Sequence, residues 1–199
     1  MTTTSPDSEV ATVTTPVRRS RGTRLTADDW AAAALDLLTT DGIAGVDINS
    51  VCKRAGVTRG SFYWHFADLN ALHAAMAARW VAETKDALAQ LSELDQLPAR
   101  ERIQAMTMRL VDDSYAGVER ALREWGRSEP TVAEMIAEGD LFVFSLVEGA
   151  LLELRGDAQE ARVLAGLLVY AGIGFAHGQA GLPKPTATEI EQLLRLVTE

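Results

Sequence analysis

The chain has 199 residues, 47% of them hydrophobic and 24% charged, with a formal net charge of −9 at pH 7. The length suits one domain or a small module joined to a medium-sized one, and the apolar fraction excludes wholesale disorder. A single cysteine, Cys52, excludes an intramolecular disulfide framework and a multi-cysteine zinc site.

The opening MTTTSPDSEVATVTTP lacks the basic-then-apolar order of a secretory signal. No run of about 18 apolar residues stands out, so a cytoplasmic protein with no membrane partner is expected. The negative charge argues at first against nucleic acid, but it is unevenly spread. Residues 1–17 carry two acids and no base, and residues 18–66 carry seven Arg or Lys against five Asp. Residues 67–199 carry 12 basic and 21 acidic residues. A small basic unit therefore precedes a large acidic body.

Residues 1–23 read as a disordered, basic-ended arm, rich in Thr, Ser and Pro. Arg18, Arg19, Arg21 and Arg24 lead into the first helix. They form either a solvated tail or an arm that touches DNA phosphates or the minor groove. Thr26 caps a helix with Asp28 and Asp29 in its first turn, where the dipole favours acids. Trp30, Ala33, Ala34, Leu37 and Leu38 make its apolar stripe, and Gly42 ends it. Asp47 caps a second segment, Ile48 to Arg54, with Ile48, Val51 and Cys52 facing inward. After the turn Ala55-Gly56-Val57, Thr58 caps a third segment, Arg59 to His65. Two short helices joined by about three residues, behind a longer supporting helix, have the spacing of a helix-turn-helix.

The stretch VDINSVCKRAGVTRGSFYWHFADLNAL, Val46 to Leu72, resembles the DNA-binding domain of the TetR family of bacterial transcriptional regulators. The likeness rests on Ile48, Val51, Ala55-Gly56-Val57, Thr58, Gly60-Ser61-Phe62-Tyr63, His65-Phe66 and Leu72, and is close over about residues 24–80. It implies an all-α fold, with a helix-turn-helix domain at 24–67 and a helical ligand-binding and dimerisation domain at 68–199. One departure is Leu69, where the family often has a phosphate-binding lysine.

A recognition helix must carry hydrogen-bonding side chains into the major groove. Arg59, at its start, reaches a guanine or a phosphate, and Gly60 lets the backbone approach DNA. The resemblance implies that Tyr63 meets phosphate, that His65 lies at the DNA edge, and that Phe62 and Phe66 are core. Trp64, if exposed, presses on sugar or thymine methyl groups. Asp47, Lys53, Thr58 and Ser61 complete the expected DNA-binding set, with Thr58 both capping its helix and meeting phosphate.

The body begins with a helix over residues 68–91 and another starting at Pro98. A short stretch from Val118 to Trp125 follows, then Val132 to Leu154, Ala158 to Ala180, and a last helix from Thr186 or Thr188 to Val197. Met76, Trp80, Met106, Leu110, Tyr115, Trp125, Phe142, Phe144, Tyr170, Phe175 and His177 suit a plastic apolar pocket, and suit an ordinary core equally well. Asp112, Asp113 and Glu148 would favour a cation if turned inward.

The last two helices carry more apolar surface than one core needs. The family's dimerisation through its C-terminal helices implies an interface of Leu164, Leu167, Leu168, Ala171, Gly174, Phe175, Gly178, Ile190, Leu193, Leu194 and Val197. Helical glycines at 166, 172, 174 and 178 fit close helix approach, either across such an interface or inside the monomer.

No GxSxG, P-loop or HExxH motif occurs. Gly172-Ile173-Gly174 lacks the third glycine and the preceding strand of a dinucleotide site. No catalytic residue, metal or cofactor is therefore expected. The expected function is a non-enzymatic regulator, most simply a repressor, that binds a pseudo-palindromic double-stranded DNA operator as a homodimer and is released by a small effector. The alternatives are a regulator without an effector and a helical interaction protein that has lost specific DNA binding.

Overall fold

The computed structural model describes residues 25–110, 113–178, 183 and 185–199. The arm with Arg18, Arg19, Arg21 and Arg24, together with Asp112, lies outside the described residues, and so do the side chains of Leu110, Asp113 and Tyr115. The described elements are all helical: α1 (Ala27–Asp41), α2 (Ile48–Ala55), α3 (Arg59–Tyr63), α4 (Leu69–Ser92), α5 (Ala99–Leu110), α6 (Asp113–Gly126), α7 (Pro130–Arg155), α8 (Ala158–Gly178) and α9 (Ala187–Thr198). Short 3-10 turns lie at Ile43–Gly45 and Glu93–Gln96.

Local chemistry fixes most of the boundaries. At α1, the Asp29 N–H donates to Thr26 Oγ1 at 3.1 Å, and the Thr26 N–H donates back to Asp29 Oδ2 at 2.9 Å. This reciprocal box satisfies two otherwise orphaned donors. Gly42 ends α1 at φ +70°, and Gly56 turns the chain between α2 and α3 at φ +71°. Both are left-handed conformations that cost any residue with a Cβ.

Two departures stand out. α6 begins at Asp113, well before the expected Val118. α3 ends at Tyr63, two residues early. There the His65 N–H donates to the Phe62 carbonyl at 2.9 Å, an i→i+3 bond that tightens the chain, and Phe66 enters the core at 6% exposure.

Two apolar cores result. The first gathers Trp30, Leu38, Val51 and Phe62 from α1–α3 with Leu72 and Met76 of α4, Leu122 and Trp125 of α6, and Val132 of α7. The second gathers Ile103 and Met106 of α5, Val147 and Leu151 of α7, Ala165 and Leu168 of α8, and Ile190, Leu194 and Val197 of α9. Arg79 ties α4 to α1 through Asp28 and also bonds Glu83 at 2.7 Å. Buried Arg102 binds Asp95 and Glu153.

α8 is apolar on two sides. Ala161, Ala165, Leu168, Val169, Gly172 and Ala176 are buried, whereas Val163, Leu167 and Tyr170 stand 65%, 57% and 73% exposed. Among the described residues it is the one helix long and apolar enough, by length and composition, to cross a membrane. Its inward side is spent packing on α7.

Candidate nucleic-acid interface and cavity

α3 has only five residues, too few to persist alone in water. Its geometry comes from Phe62, fully buried, whose ring meets Trp30 edge-on at 5.6 Å between centroids. Phe62 and Phe66 are turned inward, whereas Arg59, at the first position of α3, and Gly60, Tyr63 and Trp64 are exposed, Tyr63 and Trp64 at 53% and 77%. His65 is half-buried, with its ring 6.2 Å from Trp30. A Cβ placed on Gly60 would meet only Thr58 Oγ1, at 3.7 Å. Nothing inside the protein therefore demands a glycine there, and its bare backbone suits an approaching external surface.

Lys53 and Arg59 are exposed, and the Arg59 charge acts on the nearby Asp47 carboxylate. Arg54 is committed elsewhere, its Nε donating to Asp36 Oδ2 at 2.7 Å. Thr58 has capping backbone geometry, yet its hydroxyl makes no capping bond. Asp47 is a working cap: Oδ1 accepts from the Asn49 and Ser50 N–H groups at 2.7 and 3.1 Å, and Oδ2 accepts from Ser50 Oγ at 2.7 Å. The Ser50 hydroxyl bond, then the backbone bond from Ser50, hold its carboxyl below the usual range. Asp68 caps α4 by accepting from the Ala71 N–H at 2.9 Å. Cys52 is buried, and burial pushes its thiol up.

A cavity of about 770 Å³ lies in the body between α4 and α9. Its end nearest the first core is framed by Trp80, Glu83, Leu122, Met135 and Ile136, and its far end by Ile103, Met106, Val147, Leu168 and Leu193. One wall is polar. Arg123 of α6 makes a two-pronged bond to Asp140 of α7 at 2.9 and 2.6 Å and bonds Glu119 at 2.6 Å. Burial works against the Arg123 charge, but the Asp140 bond and the nearby carboxylates outweigh it and hold the guanidinium firmly protonated.

Residues 31–76 match the family model for bacterial regulatory proteins of the tetR family. The helix-turn-helix domain belongs to the TetR family. Over 48 residues, 24% of this chain, it is 40% identical to the HTH-type transcriptional regulator SrpR of Pseudomonas putida, and that match covers 22% of the relative's length. The chain also superposes on a transcriptional regulator from Rhodococcus sp. Rha1 with a TM-score of 0.61 and 22% identity, over 87% of this chain and 94% of that one. A Bacillus subtilis FadR in complex with stearoyl-CoA gives a TM-score of 0.54 at 15% identity, over 85% and 96% of the two chains. These structural likenesses concern the fold.

The TetR-family domain brings Lys53, Thr58, Arg59, Gly60, Tyr63 and Trp64 to one exposed region, with Ser61 and His65 half-buried beside them. Asp47 is set apart, because its oxygens are occupied by capping bonds and its charge opposes phosphate. The Leu69 side chain packs against the first core.

Of the expected pocket, Trp80, Met106 and Phe175 line the cavity. Met76 and Trp125 do not, being packed in the first core. Tyr170 and His177 are exposed, Phe142 is half-buried away from the cavity, and Phe144 lies under the Arg162 guanidinium at 5.4 Å. Glu148 pairs with Arg162 rather than facing the cavity.

The expected interface splits as well. Leu167 and Gly174 are exposed on α8, Ala171 is exposed and lines the cavity, Leu193 is exposed on α9, and Leu164, Phe175 and Gly178 are half-buried. Leu168, Ile190, Leu194 and Val197 point into the second core. Val163 and Tyr170 of α8 and Leu196 of α9, the last 76% exposed, belong to the outer apolar face and were not expected there. The polar cavity residues Glu83, Glu119, Arg123 and Asp140 were also missed. The Glu119–Arg123 spacing of four was their one local signal.

Proposed function

We propose that the chain is a ligand-responsive transcriptional regulator that binds a pseudo-palindromic operator as a homodimer and leaves it when a small apolar or amphipathic effector fills the cavity. The observation that carries this reading is α6. Leu122 lines the cavity and, with Trp125, is packed in the core that holds Trp30 and Phe62. A ligand pressing on α6 therefore bears on the core behind the recognition helix. The stearoyl-CoA held by the Bacillus subtilis FadR supports a ligand-holding role for bodies of this fold.

Lys53, Thr58, Arg59, Tyr63 and Trp64 supply the DNA face. The arm arginines and Ser61 extend it, and His65 lies at its edge. The outer apolar face of α8 supplies the dimer contact, because contiguous exposed apolar patches mark interaction sites. Repression is the simplest outcome, since a bound dimer blocks polymerase without a further contact surface, and the cytoplasm is where such a protein would act. Selection of bound duplexes from a random pool tests the reading. An inverted repeat with half-sites about one helical turn apart is expected, and a pool that stays unenriched at low salt overturns it.

A further inference from the structure

Resting on the reading of the cavity as a ligand site, we infer that its occupant is a lipophilic cation, and that the cavity rejects carboxylates and acyl thioesters of polyanionic carriers. A volume of about 770 Å³ falls within the range of drug-sized sites. Its wall carries Glu83, Glu119 and Asp140, and Arg123 is the one basic residue among the described lining residues.

That guanidinium is not free to receive an anion. Both of its edges are taken, one by the two oxygens of Asp140 and one by Glu119. An incoming carboxylate would have to displace a carboxylate already in place, and would leave that group partly buried and unpaired. Glu83 is neutralised only from outside the cavity, by Arg79, which also serves Asp28. Glu189, at the far end, is a fourth lining carboxylate, and its Oε2 is engaged by the Thr186 N–H and hydroxyl of the α9 capping box.

The negative surplus is localised. Glu83 lies one turn beyond Trp80 on α4, and Asp140 one turn beyond Ile136 on α7, and both Trp80 and Ile136 abut the first core. The end nearest the DNA-binding domain therefore carries most of the acidic groups, and the opposite end is aliphatic apart from the capped Glu189. A cleft lined by a surplus of one sign concentrates its field inside, and Trp80 adds an aromatic side chain to the lining at the same end. An amphipathic cation fits with its charge toward Glu83 and Asp140 and its apolar part toward Val147 and Leu168.

The test uses the full chain loaded with the neutral fluorophore N-phenyl-1-naphthylamine. Tetraphenylphosphonium and tetraphenylborate, alike in shape and opposite in charge, compete for it. The phosphonium ion is expected to displace the fluorophore at a concentration on the order of tenfold lower than the borate. Combining Glu83→Gln with Asp140→Asn should erase most of that preference, each ion's displacement being scored against the fluorophore affinity measured for that variant. Glu83→Gln alone, at a partly exposed position, should erase part of it, and it serves where the double variant fails to fold by circular dichroism. Equal or stronger displacement by the borate, or a preference unchanged in the variants, overturns the cation assignment and leaves the ligand cavity standing. Failure of the fluorophore and both ions to bind overturns the ligand cavity itself, and the assignment with it.

Discussion

Replacing Phe62 by alanine should dismantle the recognition helix. Phe62 is completely buried, and its ring lies 5.6 Å from Trp30, 5.3 Å from Tyr63 and 5.5 Å from Phe66. Truncating a buried Phe to Ala costs about 3–5 kcal/mol in transfer and cavity terms. A chain of this size shifts its midpoint by roughly 2–4 °C per kcal/mol, so Tm should fall by roughly 6–20 °C. The loss is local in origin, because the five-residue α3 has no helix stability of its own. Operator binding should therefore fall even at temperatures where far-UV circular dichroism still reports a folded chain. Phe62→Leu, which keeps most of the volume, should cost under about 1.5 kcal/mol and retain most of the binding. Thermal melts paired with binding to the selected duplex make the measurement. A Tm drop under about 3 °C, with operator affinity within twofold of the parent, would refute the argument that burial of this ring sets the geometry of α3.

Arg59→Ala should weaken operator binding by about 1–3 kcal/mol if the guanidinium reads a base; an equal loss on random duplex in the same gel-shift assay assigns it to phosphate instead. Replacing Arg18, Arg19, Arg21 and Arg24 by glutamine should flatten the plot of log affinity against log salt by roughly 0.9 for each phosphate that the arm had neutralised, and an unchanged slope makes the arm a solvated tail. Leu167→Asp with Tyr170→Asp should give monomers in ultracentrifugation without unfolding the chain, since both side chains are exposed; a persistent dimer places the interface elsewhere. Asp47→Ala should cost about 1 kcal/mol near neutral pH through removal of a helix cap. Because the folded state holds this carboxyl below its ordinary range, that contribution is present above the unfolded pKa and disappears as pH falls through the folded one. Melts of the two proteins should therefore converge in strong acid.

Helix starts and turns were legible because their determinants lie within four residues of one another. Thr26 with Asp29 and Asp47 with Ser50 are contacts of that range, and Gly42 and Gly56 mark the turns between. The premature end of α3 was not legible, because it depends on Phe66 reaching a core shared with Trp30 and Met76. The exposed face of the recognition helix follows from the family motif, whereas the cavity does not follow from residue type. Met76 and Trp125 are chemically suited to a pocket, yet they fill the first core. Arg123 and Asp140 look like solvated surface until two helices bring them together across 17 positions. Apolar periodicity on α9 showed that Ile190, Leu194 and Val197 are buried by something, but not that the partner is α5 and α7 of the same chain.

The placement of Leu122, Trp125 and Val132 in the core of the helix-turn-helix domain limits how this molecule can be recombined. A headpiece cut after residue 67 would lose Leu72 and Met76 along with those three side chains, and would open to water the core that holds Trp30. Grafting the headpiece onto a foreign sensor body therefore requires that body to present matching apolar groups from two helices distant in sequence. A hybrid joined at the α4 boundary without them should express as an unfolded or proteolysed headpiece on an intact body. One that carries the α6 and α7 surface along should keep its operator preference while acquiring a new signal.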